Sequence, residues 1–123
     1  MPGQMVHVEI PAGDTARARE FWGSLFGWEW QTVEAPTEYH MTRFSETTGG
    51  AIYAPDPPDE RGARVYFGVD DINAAGARVN ELGGEAGEAM PVPGMGWFSI
   101  CTDTEGNEFG LWQTEPDAPA PSQ

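Results

Sequence analysis

Two side chains that can transfer protons, His7 and Glu9, lie two positions apart in the segment VHVEI. Successive side chains of a β-strand point to opposite faces, so a strand here would place both groups on one face. An imidazole beside a carboxylate can act as general acid and general base. His7 and Glu9 are therefore the predicted catalytic residues if the protein is an enzyme.

A second strand-like segment, VYFGV, follows Arg64, and the same alternation places Arg64 and Tyr66 on one face. A buried guanidinium needs an anionic or strongly polar partner, and Glu9 is the expected one. Near the end of the chain, Gly110 has no side chain and would leave space over which Trp112 could lie flat.

Together these residues predict a cavity with an aromatic wall and a few charged groups, which is the usual composition of a small-molecule site. A second interpretation stays open, because a cluster of His, Glu and Arg can be a hydrogen-bonded structural network that binds no ligand. The predicted ligand-binding residues are Arg64, Tyr66, Trp97, Gly110 and Trp112.

The elements that must position these residues occur twice along the chain. Residues 6–27 and 65–84 each have the pattern of a strand, an acidic turn, an amphipathic helix and a glycine. Such an internal repeat indicates two copies of one module. The alternative is that helices capped by Asp and ended by Gly resemble each other without a repeat, because both residues are common at helix ends.

Each copy is followed by further strand-like segments, which predicts two βαβββ modules in an α+β fold. The modules span about residues 5–54 and 64–113, and a proline-rich linker at 55–63 joins them. A single domain, 1–113, fits the usual domain size. A tail at 114–123 has no apolar face to bury, so it is predicted to be disordered. The remaining predicted strands are 28–33, 39–44, 51–54 after a Gly49-Gly50 turn, one near 85–90, 97–102 and 108–113.

The chain is strongly acidic, with 20 acidic residues against six arginines and a formal net charge of −14. This charge repels phosphate backbones and anionic membranes, so neither nucleic acid nor a membrane is an expected partner. The same field would favour a cationic ligand, although acidity commonly serves solubility alone. The single cysteine, Cys101, excludes an intramolecular disulfide. Since no apolar run approaches the length of a membrane span, a cytoplasmic location is expected.

Three segments resemble the vicinal oxygen chelate superfamily: REFWGSLFGW at 19–28, VDDINAAGARVNELGG at 69–84 and DTEGNEFGLWQ at 103–113. That superfamily includes glyoxalase I, extradiol dioxygenases, fosfomycin-resistance enzymes and bleomycin-binding proteins, and the resemblance covers the chain apart from its tail. It implies the glyoxalase, bleomycin-resistance and dihydroxybiphenyl dioxygenase fold. In that fold two βαβββ modules form a curved, eight-stranded mixed-sheet cup.

The resemblance also implies four positions for the ligands of a metal ion in that cup. His7 matches the first position. Arg64 stands at the second and is a permanent cation, and Gly110 stands at the third and has no side chain. The candidates for the fourth position lack a carboxylate or imidazole: Ala51, Ile52 and Tyr53. One ligand of four is too few to hold an ion, so the prediction is a cup without a metal or other cofactor.

Three functions remain compatible with the sequence. The favoured one is a metal-independent protein that binds a small molecule in the cup. The second is an isomerase, lyase or dioxygenase-like enzyme in which His7 or Glu9 is the acid or base and Arg64 steadies an enolate or carboxylate. The third is an accessory domain with a vestigial site. A homodimer is expected in each case, because superfamily modules commonly pair across chains and Trp22, Phe26 and Trp28 would be costly to expose to water.

Overall fold

The computed structural model describes residues 3–33, 38–55 and 62–119. Contacts divide the chain into two compact units. The first unit is His7–Arg64, and the second is Met1–Val6 together with Val65–Gln123. Most of the predicted linker, residues 56–61, lies outside the described residues, and the single domain at 1–113 stays a prediction.

The first unit contains a four-stranded mixed sheet with one helix. Its strand order is β2-β3-β4-β1, in which β4 is parallel to β1 and antiparallel to β3. The elements are β1 at Met5–Pro11, which enters this unit at His7, α1 at Thr15–Phe26, β2 at Gln31–Val33, β3 at Tyr39–Arg43 and β4 at Gly49–Tyr53.

The helix α1 begins and ends where the sequence predicts. Asp14 is its N-cap, and the Asp14 carboxylate accepts a hydrogen bond from the backbone N–H of Arg17 at 3.0 Å. Gly27 ends the helix in the left-handed conformation, with φ of 75°, and its N–H bonds to the carbonyl of Gly23. The connection between β1 and β2 is therefore set by local sequence.

Two strands of this unit differ from the prediction. The strand predicted at 28–33 is confined to β2, because the Trp28 ring stacks on Trp22 with centroids 5.5 Å apart and lies 4.5 Å from the Phe44 ring. The Gly49-Gly50 pair lies inside β4 and not in a turn. A Cβ at Gly50 would lie 2.3 Å from Phe44 Cζ, so this strand position needs glycine because an aromatic ring packs on its backbone.

The second unit packs the other helix against a sheet. Strand β5 is parallel to β9, β9 is antiparallel to β8, and both β6 and β7 pair with β8. A core of Ile72, Cys101 and Leu111 lies between the helix and this sheet. The elements are β5 at Arg64–Gly68, whose first residue is counted in the first unit, α2 at Ile72–Glu81, β6 at Glu85–Ala86, β7 at Met90–Val92, β8 at Gly96–Thr102 and β9 at Glu108–Thr114.

The strand predicted near 85–90 is divided into β6 and β7. Gly87 lies in the gap, where its N–H donates to the Ile100 carbonyl at 3.0 Å and its own carbonyl accepts from Ser99 Oγ at 2.8 Å. A Cβ at Gly87 would lie 2.4 Å from the Ile100 oxygen. The close backbone approach interrupts the regular pairing, so the described residues contain nine strands where eight were predicted.

The first residues of the predicted tail are hydrogen-bonded to the second unit. Thr114 ends β9, the Glu115 N–H donates to the Met95 carbonyl at 2.8 Å, and the Ala118 carbonyl accepts from Gly94 N–H at 3.1 Å. Ala118 is also buried. The predicted disorder at 114–123 therefore does not include Thr114 to Ala118, and residues 120–123 lie outside the described residues.

Candidate functional site

A chain of hydrogen bonds joins four side chains of the first unit. Arg64 Nη1 donates to Glu9 Oε1 at 2.9 Å, and the Tyr39 hydroxyl donates to Glu9 Oε2 at 2.9 Å. The single Tyr39 proton is thereby used, so its oxygen accepts from His7 Nε2–H, which lies 2.7 Å away. The direction of the chain fixes the protonated nitrogen of a neutral His7 as Nε2. The predicted pairing of Arg64 with Glu9 is present.

The strand register explains how Tyr39 reaches its partners. His7 and Glu9 of β1 pair with Gly49 and Ala51 of β4, and β4 lies between β1 and β3. Because these two β4 residues are small, the Tyr39 side chain extends over β4 from the far strand. A bulky side chain at Ala51 would occupy that path.

Burial sets the electrostatics of these four hydrogen-bonded side chains. The side chains of Arg64 and Glu9 are 17% and 12% exposed, so their ion pair is largely removed from water. Burial also lowers the pKa of His7, and the negative charge of Glu9 offsets only part of that effect. His7 is therefore neutral at pH 7, while the Glu9 carboxylate is engaged by one phenol and one guanidinium.

Of these four hydrogen-bonded side chains, Tyr39 is the one that the sequence reasoning missed. The alternation in YHMTRF does place Tyr39, Met41 and Arg43 on one strand face. The alternation does not give the order of the strands. That order decides that Tyr39 lies on the same sheet face as His7 and Glu9. Only the observed pairing of β1 with β4 and of β4 with β3 provides that order.

The predicted ligand-binding residues of the second unit fall on two faces of its sheet. Tyr66 pairs with Gly110 in register, and its ring lies over this glycine, where a Cβ would be 2.2 Å from Tyr66 Cδ2. The space above Gly110 is thus filled by Tyr66, whereas Trp112 was expected there. Trp112 instead lies over Gly96, where a Cβ would be 2.7 Å from Trp112 Cζ2.

Trp97 is separated from these aromatic rings by the alternation of β8. It packs on the core formed by Ile72, Cys101 and Leu111, on the helix side of the sheet. Phe98, its neighbour, pairs with Trp112 on the opposite face. The structure therefore does not bring Trp97 and Trp112 together in one wall, because Trp97 pairs with Gln113, whose side chain points to the face opposite that of its neighbour Trp112.

A second hydrogen-bonded cluster lies on the other face of the first unit's sheet. His40 is buried, with its Nδ1 2.9 Å from Thr32 Oγ1 and its Nε2 3.1 Å from Glu38 Oε2. Thr15, in the first turn of α1, also donates to Glu38 at 2.7 Å. The hydrogen bonds from Thr15 and then His40 lower the pKa of Glu38. The cluster links helix α1 to the sheet, which accounts for a buried histidine without a ligand.

The residues at the superfamily's metal positions do not fit a metal ion. His7 Nε2 donates to Tyr39, Arg64 bonds to Glu9, and Gly110 is covered by a tyrosine ring. Within the described ranges, no group of three or more His, Cys, Asp or Glu side chains could hold an ion.

Comparison with known proteins identifies the family. The glyoxalase-like domain family matches residues 6–112 of the chain. The chain belongs to this family. A glyoxylase-like domain-containing protein of Didymella fabae is 32% identical over 122 residues, which cover 89% of this chain and 92% of that protein. The anthracycline biosynthesis protein DnrV of Streptomyces peucetius is 29% identical over 130 residues, which cover 91% of this glyoxalase-like chain and 47% of DnrV. The chain thus spans about half the length of DnrV.

Solved structures confirm the predicted fold class. A variant of the methylmalonyl-CoA epimerase of Streptomyces coelicolor, in complex with 2-nitronate-propionyl-CoA, superposes with a TM-score of 0.76 at 16% identity, covering 98% of this chain and all of that one. At this identity the likeness establishes the fold of the glyoxalase-like chain and not its activity. The resemblance to the vicinal oxygen chelate superfamily is confirmed. In the described part of the chain, neither helix has the length and apolar character needed to cross a membrane.

Proposed function

We propose that this glyoxalase-like protein binds a small molecule on the face of the first unit that carries His7, Tyr39, Glu9 and Arg64. The observation that supports this most is the hydrogen-bonded chain itself, which places four polar side chains on a half-buried sheet face. Such convergent polar groups are what orients a ligand in a mostly apolar site. Related proteins include one named for anthracycline biosynthesis and an epimerase bound to a CoA derivative, which fits this type of function.

The proposed ligand contacts on this face are His7, Tyr39 and the Glu9–Arg64 pair. Because Arg64 is neutralised by Glu9, this part of the face carries no net charge while His7 is neutral. It suits a carbonyl group, which accepts hydrogen bonds, or a hydroxyl group, which both accepts and donates them. The contributions of Tyr66, Trp97, Gly110 and Trp112 to a ligand site stay predictions.

A ligand screen on the purified protein tests this function. A library of carbonyl-bearing metabolites is screened, and binding is followed by quenching of tryptophan fluorescence and by thermal shift. A ligand at 100 times its Kd stabilises the folded protein by about 2.7 kcal/mol, a shift of several degrees in a domain of this size. A hit that Tyr39→Phe or Arg64→Ala weakens supports the site, and hits unaffected by either change contradict it.

Acid–base catalysis at His7 is the second candidate. The lowered pKa of His7 keeps it neutral near pH 7, as a general base must be, and the bond to Tyr39 fixes which nitrogen carries the proton. We expect such an enzyme to exchange an acidic C–H of a bound ligand with deuterium from D₂O, as measured by NMR. His7→Ala would abolish that exchange. Binding without any exchange would contradict catalysis and support the binding function.

We also infer that two copies of the chain associate through α1. Phe21, Leu25 and Phe26 are 59%, 56% and 57% exposed on this helix, while Trp22 and Trp28 stack on each other beside them. Leaving such apolar area in water is unfavourable, and a second copy would cover it. Sedimentation at micromolar concentration should give a dimer that Phe26→Ser dissociates, and a monomeric wild type would contradict this.

The cytoplasmic location likewise stays a proposal.

A further inference from the structure

Arg43 lies next to His7 on the proposed ligand-binding face, across Gly49. Gly49 of β4 pairs with His7 on one side and with Arg43 of β3 on the other. A Cβ at Gly49 would lie 3.7 Å from Arg43 Nη1 and 3.8 Å from His7 Nδ1. Both side chains therefore approach the same space above β4, which is open because Gly49 has no side chain.

The guanidinium of Arg43 is held in this position by the turn that follows β3. Arg43 Nη2 donates to the backbone carbonyl of Glu46, a neutral acceptor. In the part of the chain that the structure describes, Arg43 makes no ion pair, and its side chain is exposed. This differs from Arg64, whose charge is already balanced by Glu9 at 2.9 Å. Among the described residues of this face, Arg43 is the cation that an approaching anion would meet without an ion-pair partner.

We propose that Arg43 binds the carboxylate of the small-molecule ligand and thereby selects small carboxylic acids. This inference rests on the proposed function and names the ligand class for the same site. The carboxylate would accept from Arg43 Nη1 above Gly49, beside the neutral His7, and the rest of the ligand would lie toward Tyr39. A fixed cation is also what a carboxylate needs to approach a chain with a net charge of −14.

The test compares carboxylates with neutral molecules of the same shape. The probes are phenylacetate, 3-phenylpropionate and benzoylformate, each measured beside its primary amide by saturation-transfer NMR titration. The variants are Arg43→Gln, Arg43→Lys and, as a control of equal charge change, Arg17→Gln. Arg17 is 80% exposed on α1 and pairs only with its neighbour Asp14 among the described residues. Thermal melts establish that each variant is folded.

The expected result is that the wild type binds carboxylates at least fivefold more tightly than their amides. Arg43→Gln should weaken carboxylate binding about tenfold, the size of one charge-assisted hydrogen bond, without changing amide binding. Arg43→Lys should restore part of the loss, and Arg17→Gln should have no effect. Equal binding of acids and amides, or an Arg43→Gln variant that keeps the preference, overturns the inference and leaves the proposed function standing. Absence of binding by these probes and by the whole ligand screen overturns both.

Discussion

Tyr39 of β3 donates a hydrogen bond to Glu9 of β1 at 2.9 Å, although β4 lies between their strands. The same hydroxyl accepts from His7 at 2.7 Å, so one phenol connects the two residues that could exchange protons. The properties of the whole hydrogen-bonded chain therefore depend on this side chain.

Tyr39→Phe is expected to lower the free energy of unfolding by about 1–3 kcal/mol, because Glu9 and His7 each lose a partner in a half-buried position. Urea denaturation followed by fluorescence measures the change. Met41→Leu, on the same face of the same strand, is the control for altered packing and should cost less than about 1.5 kcal/mol. Equal effects of the two changes would show that the hydroxyl contributes nothing.

Breaking the ion pair from one side should be costly. Arg64→Met leaves the Glu9 carboxylate without its cation in a place where it is 12% exposed, and we expect a loss of about 3 kcal/mol. The double variant Glu9→Gln with Arg64→Met should recover most of that loss, since no charge is left unpaired. A double-mutant cycle on unfolding free energies measures the coupling. Additive effects would contradict a direct interaction.

The stability of the protein should fall as the pH drops below about 6.5, the usual pKa of histidine. Burial lowers the pKa of His7 in the folded state, so the unfolded chain binds the proton first and acid favours unfolding between the unfolded and folded pKa values. Denaturation curves from pH 7.5 to pH 5 should show this slope, and His7→Gln should reduce it. Below pH 5, Glu38 and Asp103 add to the loss, because hydrogen bonds lower both their pKa values in the fold. An NMR titration in which His7 gains its proton above pH 6.5 would contradict the prediction.

Gly110→Ala should destabilise the second unit by about 1–3 kcal/mol, because the new methyl group would lie 2.2 Å from the Tyr66 ring, which is 6% exposed. Thermal unfolding measures the effect. Gly13→Ala is the matched control, since nothing lies within 4 Å of its Cβ position. An unchanged melting temperature for Gly110→Ala would mean that the ring moves aside without cost.

The protein is expected to retain no stoichiometric divalent metal after purification and dialysis against zinc or nickel. Of the superfamily's ligand positions, only that of His7 holds an imidazole or carboxylate, and one such ligand gives little affinity. Elemental analysis measures the content. One equivalent of metal that His7→Ala removes would show that a different set of donors completes the site.

Local sequence signals were sufficient for the helices and for the pairing of charges. Asp14 and Gly27 set the ends of α1 through hydrogen bonds with near neighbours, and these depend on no distant residue. The need of Arg64 for an anionic partner follows from the cost of burying a lone guanidinium, and Glu9 is the carboxylate on the strand face of His7. Both expectations depend on the residue type and its neighbours in the sequence.

Contacts across several strands could not be predicted in this way. The role of Tyr39 depends on the order β3-β4-β1, and the position of Trp112 depends on which ring fills the space over Gly110. Two glycines were similarly missed: Gly50 lies in a strand because an aromatic ring packs on it, and Gly87 interrupts a predicted strand because the Ile100 carbonyl approaches it. These features are set by tertiary packing, which a single sequence does not encode locally.

Neighbouring positions of β3 carry the two clusters of the first unit, with Tyr39 on one face and His40 on the other. A shift of β3 by one residue would exchange the faces of all its side chains. It would put the imidazole of His40 on the face that carries His7 and Glu9 and force the phenol of Tyr39 beneath α1, so both hydrogen-bonded clusters would be lost together. The two clusters thus penalise misaligned pairing of this short strand during folding, a contribution to folding fidelity that is separate from any ligand.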